Sequence, residues 1–155
     1  MPETQSRLIY AAGLVVLLAV VVAGPYMQKR LEPDAVVMKT SPCDLQKGAC
    51  NALWGNMSLT LAMGPTPLIA LKPIDVSLVL NGAPEKATVT LSLQGAEMYM
   101  GEIRSTLSSL PNSPELFKGQ TYLSICTDLD MIWRATVYIE TSTQLYAAHF
   151  NFAAQ

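Results

Sequence analysis

Strict alternation of apolar and polar residues is the feature that most constrains this chain. Met57-Ser58-Leu59-Thr60-Leu61-Ala62-Met63 alternates, with the small Ala62 at one polar position; Ile74–Leu80 does so up to Val79, and Lys86–Leu93 throughout. Gln120–Cys126, Met131–Thr141 and Leu145–Phe152 continue the pattern, and Glu102–Leu110 carries a weaker version of it. Successive side chains of a strand point to opposite faces, so a period of two gives each segment one dry face and one wet face. A helix would need a period near 3.6, and no segment after residue 30 has one.

Turn chemistry separates these segments. Asn81-Gly82 follows the second strand, and Ser142-Thr143-Gln144 joins the last two as a hairpin. Pro84, Pro111 and Pro114 are expected between strands, where a missing N–H does no harm. In Met131–Thr141, Trp133, Ala135, Val137 and Ile139 form the expected core face, with Ile132, Arg134, Thr136 and Tyr138 opposite. Short strands at this spacing predict an all-β body: an immunoglobulin-like antiparallel β-sandwich of about seven strands.

The N-terminal end obeys a different rule. Leu8–Gly24 is uncharged, and the uncharged stretch runs on to Gln28. About 20 helical residues span the hydrocarbon core, with a lower limit near 17. Tyr10 and Tyr26 stand near the ends, and Arg7 and Lys29-Arg30 bracket the run. A cleavable signal peptide is the rival, with Val21-Val22-Ala23 as a cleavage site. Its apolar region would exceed the usual 7–15 residues, which favours an uncleaved anchor. Residues 1–30 carry a net charge of +2 and residues 31–155 a net −4, so a basic head precedes an acidic body. The expected division is a tail at 1–7, a transmembrane anchor at 8–28, an irregular tether at 29–55 and the β-sandwich at 56–155.

Cys43 and Cys50, with six residues between them, are expected to form a disulfide in the tether. Zinc pairs prefer two to four intervening residues and a second pair elsewhere. Disulfides persist in oxidising compartments. Basic residues flank the apolar run almost equally, with a slight balance toward a cytoplasmic body, against which stand the short seven-residue tail and the cysteines. The body is therefore expected in the periplasm, on a single-pass anchor in the inner (cytoplasmic) membrane.

Catalytic groups are sparse. The chain has one histidine, His149, with no partner legible in the sequence. Phosphate-binding glycine motifs are absent. A net charge of −2 and the lack of basic clusters exclude nucleic acid as the expected partner. No acid, base and nucleophile can be assembled, so an enzyme is not expected. Sulfur is the more informative element, at eight methionines and three cysteines. Met98 and Met100 stand two residues apart, so on a regular strand both would face one way. Cys126 precedes the turn Thr127–Asp130, and Met131 follows it. If these segments are neighbours, Met98, Met100, Cys126 and Met131 are candidate Cu(I) ligands, since soft sulfur donors select that ion. Methionine as core filler and a buried free cysteine are the alternative.

Met98-Tyr99-Met100-Gly101 and the run Cys126, Met131, Trp133, Arg134, Ala135, Val137, behind a short membrane anchor, resemble the FixH/YtkA-like group of small bacterial envelope proteins. The resemblance spans roughly residues 56–152. It implies an immunoglobulin-like domain, usually without enzymatic activity, linked to copper or to assembly of heme-copper oxidases. It carries Met98, Met100 and Gly101 onto the methionine motif and Trp133 onto a packing position. Two departures stand out. Members with further copper ligands carry additional histidines, and the Cys43/Cys50 loop is outside the general pattern. The partners implied are the membrane and a respiratory-chain or envelope protein. A ligand-free structural module of the cell envelope is the alternative.

Overall fold

A computed structural model of the chain describes residues 13–14, 17–19, 35–83, 86–98, 101–125 and 131–154. The chain divides into two units, Met1–Asp34 and Ala35–Gln155. In the first, Gly13, Leu14 and Leu17–Ala19 are helical. Among the described residues no helix is long and apolar enough to cross a membrane, and the rest of the expected anchor at 8–28 lies outside them.

The second unit is built of strands: β1 Val36–Val37, β2 Lys39–Thr40, β3 Cys50–Trp54, β4 Met57–Gly64, β5 Ile74–Asn81, β6 Thr88–Gly95, β7 Glu102–Leu110, β8 Ser113–Thr121, β9 Ile132–Glu140 and β10 Leu145–Ala153. They form one sheet in the order β1-β10-β9-β6-β7-β8-β5-β4-β3-β2. All neighbours are antiparallel except β1 and β10, which run parallel. The alternating segments became β4, β5, β6, β9 and β10 because a period-two sequence hides one face of each. Burial along β4 alternates at every residue, and Leu59, Leu61, Leu78, Leu91, Leu93, Val137 and Ile139 are excluded from solvent.

Four expectations are corrected. Among the described residues the strands are ten rather than about seven. The segment read as a tether that becomes ordered only near Cys43 already holds β1 and β2 before that cysteine, so the ordered body starts at Ala35. These strands are too short, or too polar on one face, to show a period. The expected strand Gln120–Cys126 holds only at its start: Gln120 and Thr121 end β8, 122–125 carry no regular structure, and Cys126 lies outside the described residues. Pro114 lies inside β8, not between strands. It occupies the second position, just after the β7–β8 turn at Pro111-Asn112, and its backbone lies outside the register pairs recorded with β5 and β7.

Two devices shape the sheet. Strand β7 pairs with β6 from Glu102 to Leu107, then with β8 from Ser108 onward, with a register shift at Ser109/Leu110. This bulged strand carries the sheet from one half to the other. Gly119 of β8 makes room for the crossing: a Cβ there would stand 2.6 Å from Leu107 Cδ2. At the far edges, β1 and β2 are separated only by Met38. β1 pairs with β10, and β2 pairs with β3. Met38 is 2% exposed, and its N–H donates to the Ala147 carbonyl at 2.8 Å. One five-residue stretch thus joins both edges, and the sheet is nearly closed into a barrel. Closure shields edge strands that would otherwise offer free backbone groups.

The disulfide between Cys43 and Cys50 is formed, with a Cα–Cα distance of 5.7 Å. Between the two, Asp44 Oδ1 accepts from the Gln46 N–H at 3.0 Å, an Asx turn, and the Lys47 N–H donates to the Asp44 carbonyl.

Candidate functional site

The loops sort to two ends of the body. The turns β3–β4, β7–β8 and β9–β10 lie at one end, and the chain enters there, since Val36 is in register with Tyr146 just after the β9–β10 turn. At that end the hairpin turn is closed by Thr141, whose Oγ1 accepts from the Gln144 N–H at 3.0 Å. The connections β4–β5, β6–β7 and β8–β9 lie at the other end. Gln46 ties that end together. Its amide nitrogen donates to the Ala153 carbonyl at 2.7 Å, and its Oε1 accepts from the Leu68 N–H at 2.9 Å. Leu71, Met98, Tyr122 and Ile125 are all more than half exposed on these connections. Beneath them Leu68 and Leu123 are buried, and the Leu71 N–H donates to the Leu123 carbonyl at 3.0 Å.

This second end holds the sulfur residues. Met98 is not on a strand, as first expected, because β6 ends at Gly95 and β7 begins at Glu102. The two-residue spacing of Met98 and Met100 therefore does not set a common face. The connections are nonetheless neighbours: the Ala96 N–H donates to the Ile132 carbonyl at 2.8 Å, and Gly95 stands opposite Trp133. A Cβ on Gly95 would collide with the Met98 carbonyl and the Met131 Cε, so the Met131 methyl lies under the bend that carries Met98. The Met131 side chain is 5% exposed, whereas Met98 is 60% exposed. Met100 and Cys126 lie outside the described residues. Among the described residues no cluster of three His, Cys, Asp or Glu is assembled.

A second site was not legible in the sequence. On the outer face of the β6–β9–β10 half, polar residues meet in rows set by register. Arg104, Ser92, Thr136 and His149 form one row, and Glu102, Gln94, Arg134 and Asn151 the next. Ser92 and Thr136 are almost wholly buried here, although the alternation placed Thr136 on the wet face. Ser92 Oγ donates to Glu102 Oε1 at 2.5 Å, and Arg104 Nε lies 2.9 Å from the same oxygen. The Arg104 hydrogen bond, with that of Ser92, holds the Glu102 carboxyl below its ordinary pKa against the opposing effect of partial burial. Thr136 Oγ1 lies 3.0 Å from His149 Nδ1, and Arg134 Nε donates to Asn151 Oδ1 at 3.2 Å. Partial burial pushes the His149 pKa down, and the Arg134 charge adds to this. Beside these residues runs a cleft of about 510 Å³, whose other wall is Thr40, Ser41, Pro42 and Cys43. Alternation alone reveals the face, but only the register reveals the rows.

No protein-family model, curated protein or solved structure matches this chain.

Proposed function

We propose that this chain is a non-enzymatic domain of immunoglobulin-like architecture, anchored in the inner membrane with its body in the periplasm. In this reading it assists copper handling or the assembly of a respiratory heme-copper oxidase. The order β10-β9-β6-β7, the pairing of β5 with β8 and the parallel contact of β1 with β10 support the immunoglobulin-like arrangement. The resemblance of residues 56–152 to the FixH/YtkA-like group supports the assignment to the envelope. The formed disulfide is consistent with an oxidising compartment.

The observation that carries the copper reading is the bond between Ala96 and Ile132, which sets the connection bearing Met98 beside the one ending at Met131. Cu(I) accepts thioether and thiolate donors, and Met98, Met100, Cys126 and Met131 supply that donor chemistry. Met131 lies beneath the bend, and the side chain of Met98 is accessible from solvent. Leu71, Tyr122 and Ile125, exposed at the same end, favour a second reading: a ligand-free module that docks an envelope partner.

Anaerobic titration of the full-length chain with Cu(I) against a competing chelator separates the two. The copper reading predicts stoichiometric uptake that is lost in a Met98→Ala, Met100→Ala double variant. Uptake no greater than that of the chelator alone rejects it and leaves the docking module.

A further inference from the structure

Closure of the sheet leaves a gap beside β10. β1 covers β10 only at Tyr146 and Ala147. The chain then turns away at Met38 to join β3 as β2. Past that point the seam opens into the cleft between His149 and Asn151 on one side and Thr40–Cys43 on the other. The cleft is large enough for a small molecule.

Its chemistry is one-sided. None of its described lining residues carries a carboxylate, and Arg134 is the one formal charge among them. The ion pairs among the described residues are Lys47–Asp44 and Arg104–Glu102, so Arg134 is in neither. Glu102 lies in its row with Gln94 between them, and is already held by Arg104 and Ser92. The Asn151 bond occupies Arg134 Nε and leaves the Nη groups for another acceptor. It also leaves the Asn151 amide nitrogen as a donor. In the tautomer whose Nδ1 accepts from the Thr136 hydroxyl, the ring proton of a neutral His149 stands on Nε2, which is then a further donor. Thr40 and Ser41 add hydroxyls to the opposite wall.

We infer that this cleft binds a compact oxyanion, a carboxylate or phosphate group, held by the free edge of the Arg134 guanidinium with Asn151 and His149 as flanking donors. A guanidinium presents paired N–H groups that match two oxygens of one anion. A cation would be repelled by Arg134, and an apolar ligand would strip these donors of water without replacing it. The site is independent of the copper reading, since it shares no residue with the sulfur-bearing loops.

His149 is the chain's single histidine, so one imidazole resonance reports on the cleft. The test titrates the full-length chain with acetate and, separately, inorganic phosphate. Chloride holds the ionic strength constant, at a mildly alkaline pH where His149 is neutral. The expected result is a saturable shift of the His149 resonance with at least one of the two anions, and the one that saturates names the source. Arg134→Gln weakens that binding by about tenfold or more. Arg134→Lys, which keeps the charge without the fork, falls between, and Lys118→Gln on the far half of the sheet changes nothing. A shift that never departs from the chloride baseline, or one that saturates equally in Arg134→Gln and Arg134→Lys, overturns the inference.

Discussion

Thr121 shows how a single atom can work against the fold. It is 4% exposed at the end of β8, and its hydroxyl has no hydrogen-bond partner among the described residues. An unsatisfied buried hydroxyl costs about 1–3 kcal/mol. Thr121→Val keeps the branched shape and removes that cost, so urea unfolding should show a gain of about 1 kcal/mol. A loss of stability would mean that the hydroxyl has a partner. His149 makes the opposite kind of statement, through pH. Its folded pKa is below the ordinary 6.5, so the unfolded chain takes up the proton first. Stability therefore falls as pH drops from about 6.5 toward the folded pKa, and this contribution levels off below it. Glu102 adds a separate loss in more acid solution, because its folded pKa is also depressed and protonation breaks its bonds to Arg104 and Ser92. Urea midpoints measured against pH should lose the upper of these two steps in His149→Gln and keep the lower one.

At the scale of elements, β8 explains why some strands were legible and others were not. Its inward positions are Phe117, Gly119 and Thr121, one large apolar side chain among three, so no clear period rises from its sequence. Tyr122, Leu123 and Ile125, just beyond, alternate well enough to imitate a strand. In the fold Leu123 plugs the end of the core while Tyr122 and Ile125 face water. By contrast β9 was readable because Trp133, Ala135, Val137 and Ile139 all point into the same core. The disulfide was readable from its spacing, but the short strands around it were not, because β1 and β2 hold two residues each. The candidate sulfur site was half legible: the sulfur-bearing residues could be named, but the neighbourhood of their two connections stood only as a condition until the strand register supplied it, and the bend at Met98 left no signal. The polar cleft depends on three strands being in register and has no local signature. Closing the short loop from Cys43 to Cys50 is worth about 2–3 kcal/mol by chain entropy. Reduction, or Cys43→Ser with Cys50→Ser, should lower the unfolding free energy by that amount without abolishing the fold, since β4 to β10 carry most of the core.

At the scale of the whole molecule, one stretch of chain does two jobs. Residues 36–40 join the two edges of the sheet, and the disulfide just after them pins that segment to the start of β3. The chain enters beside the β9–β10 turn, and the exposed apolar loops stand at the opposite end of the body. The proposal depends on the body reaching an oxidising compartment. The most direct measurement is thiol alkylation of the full-length chain in intact cells, before and after reduction, read by mass spectrometry at Cys43 and Cys50. Placement in the periplasm predicts that both cysteines resist labelling until a reductant is added. Free labelling of both without reductant would contradict it.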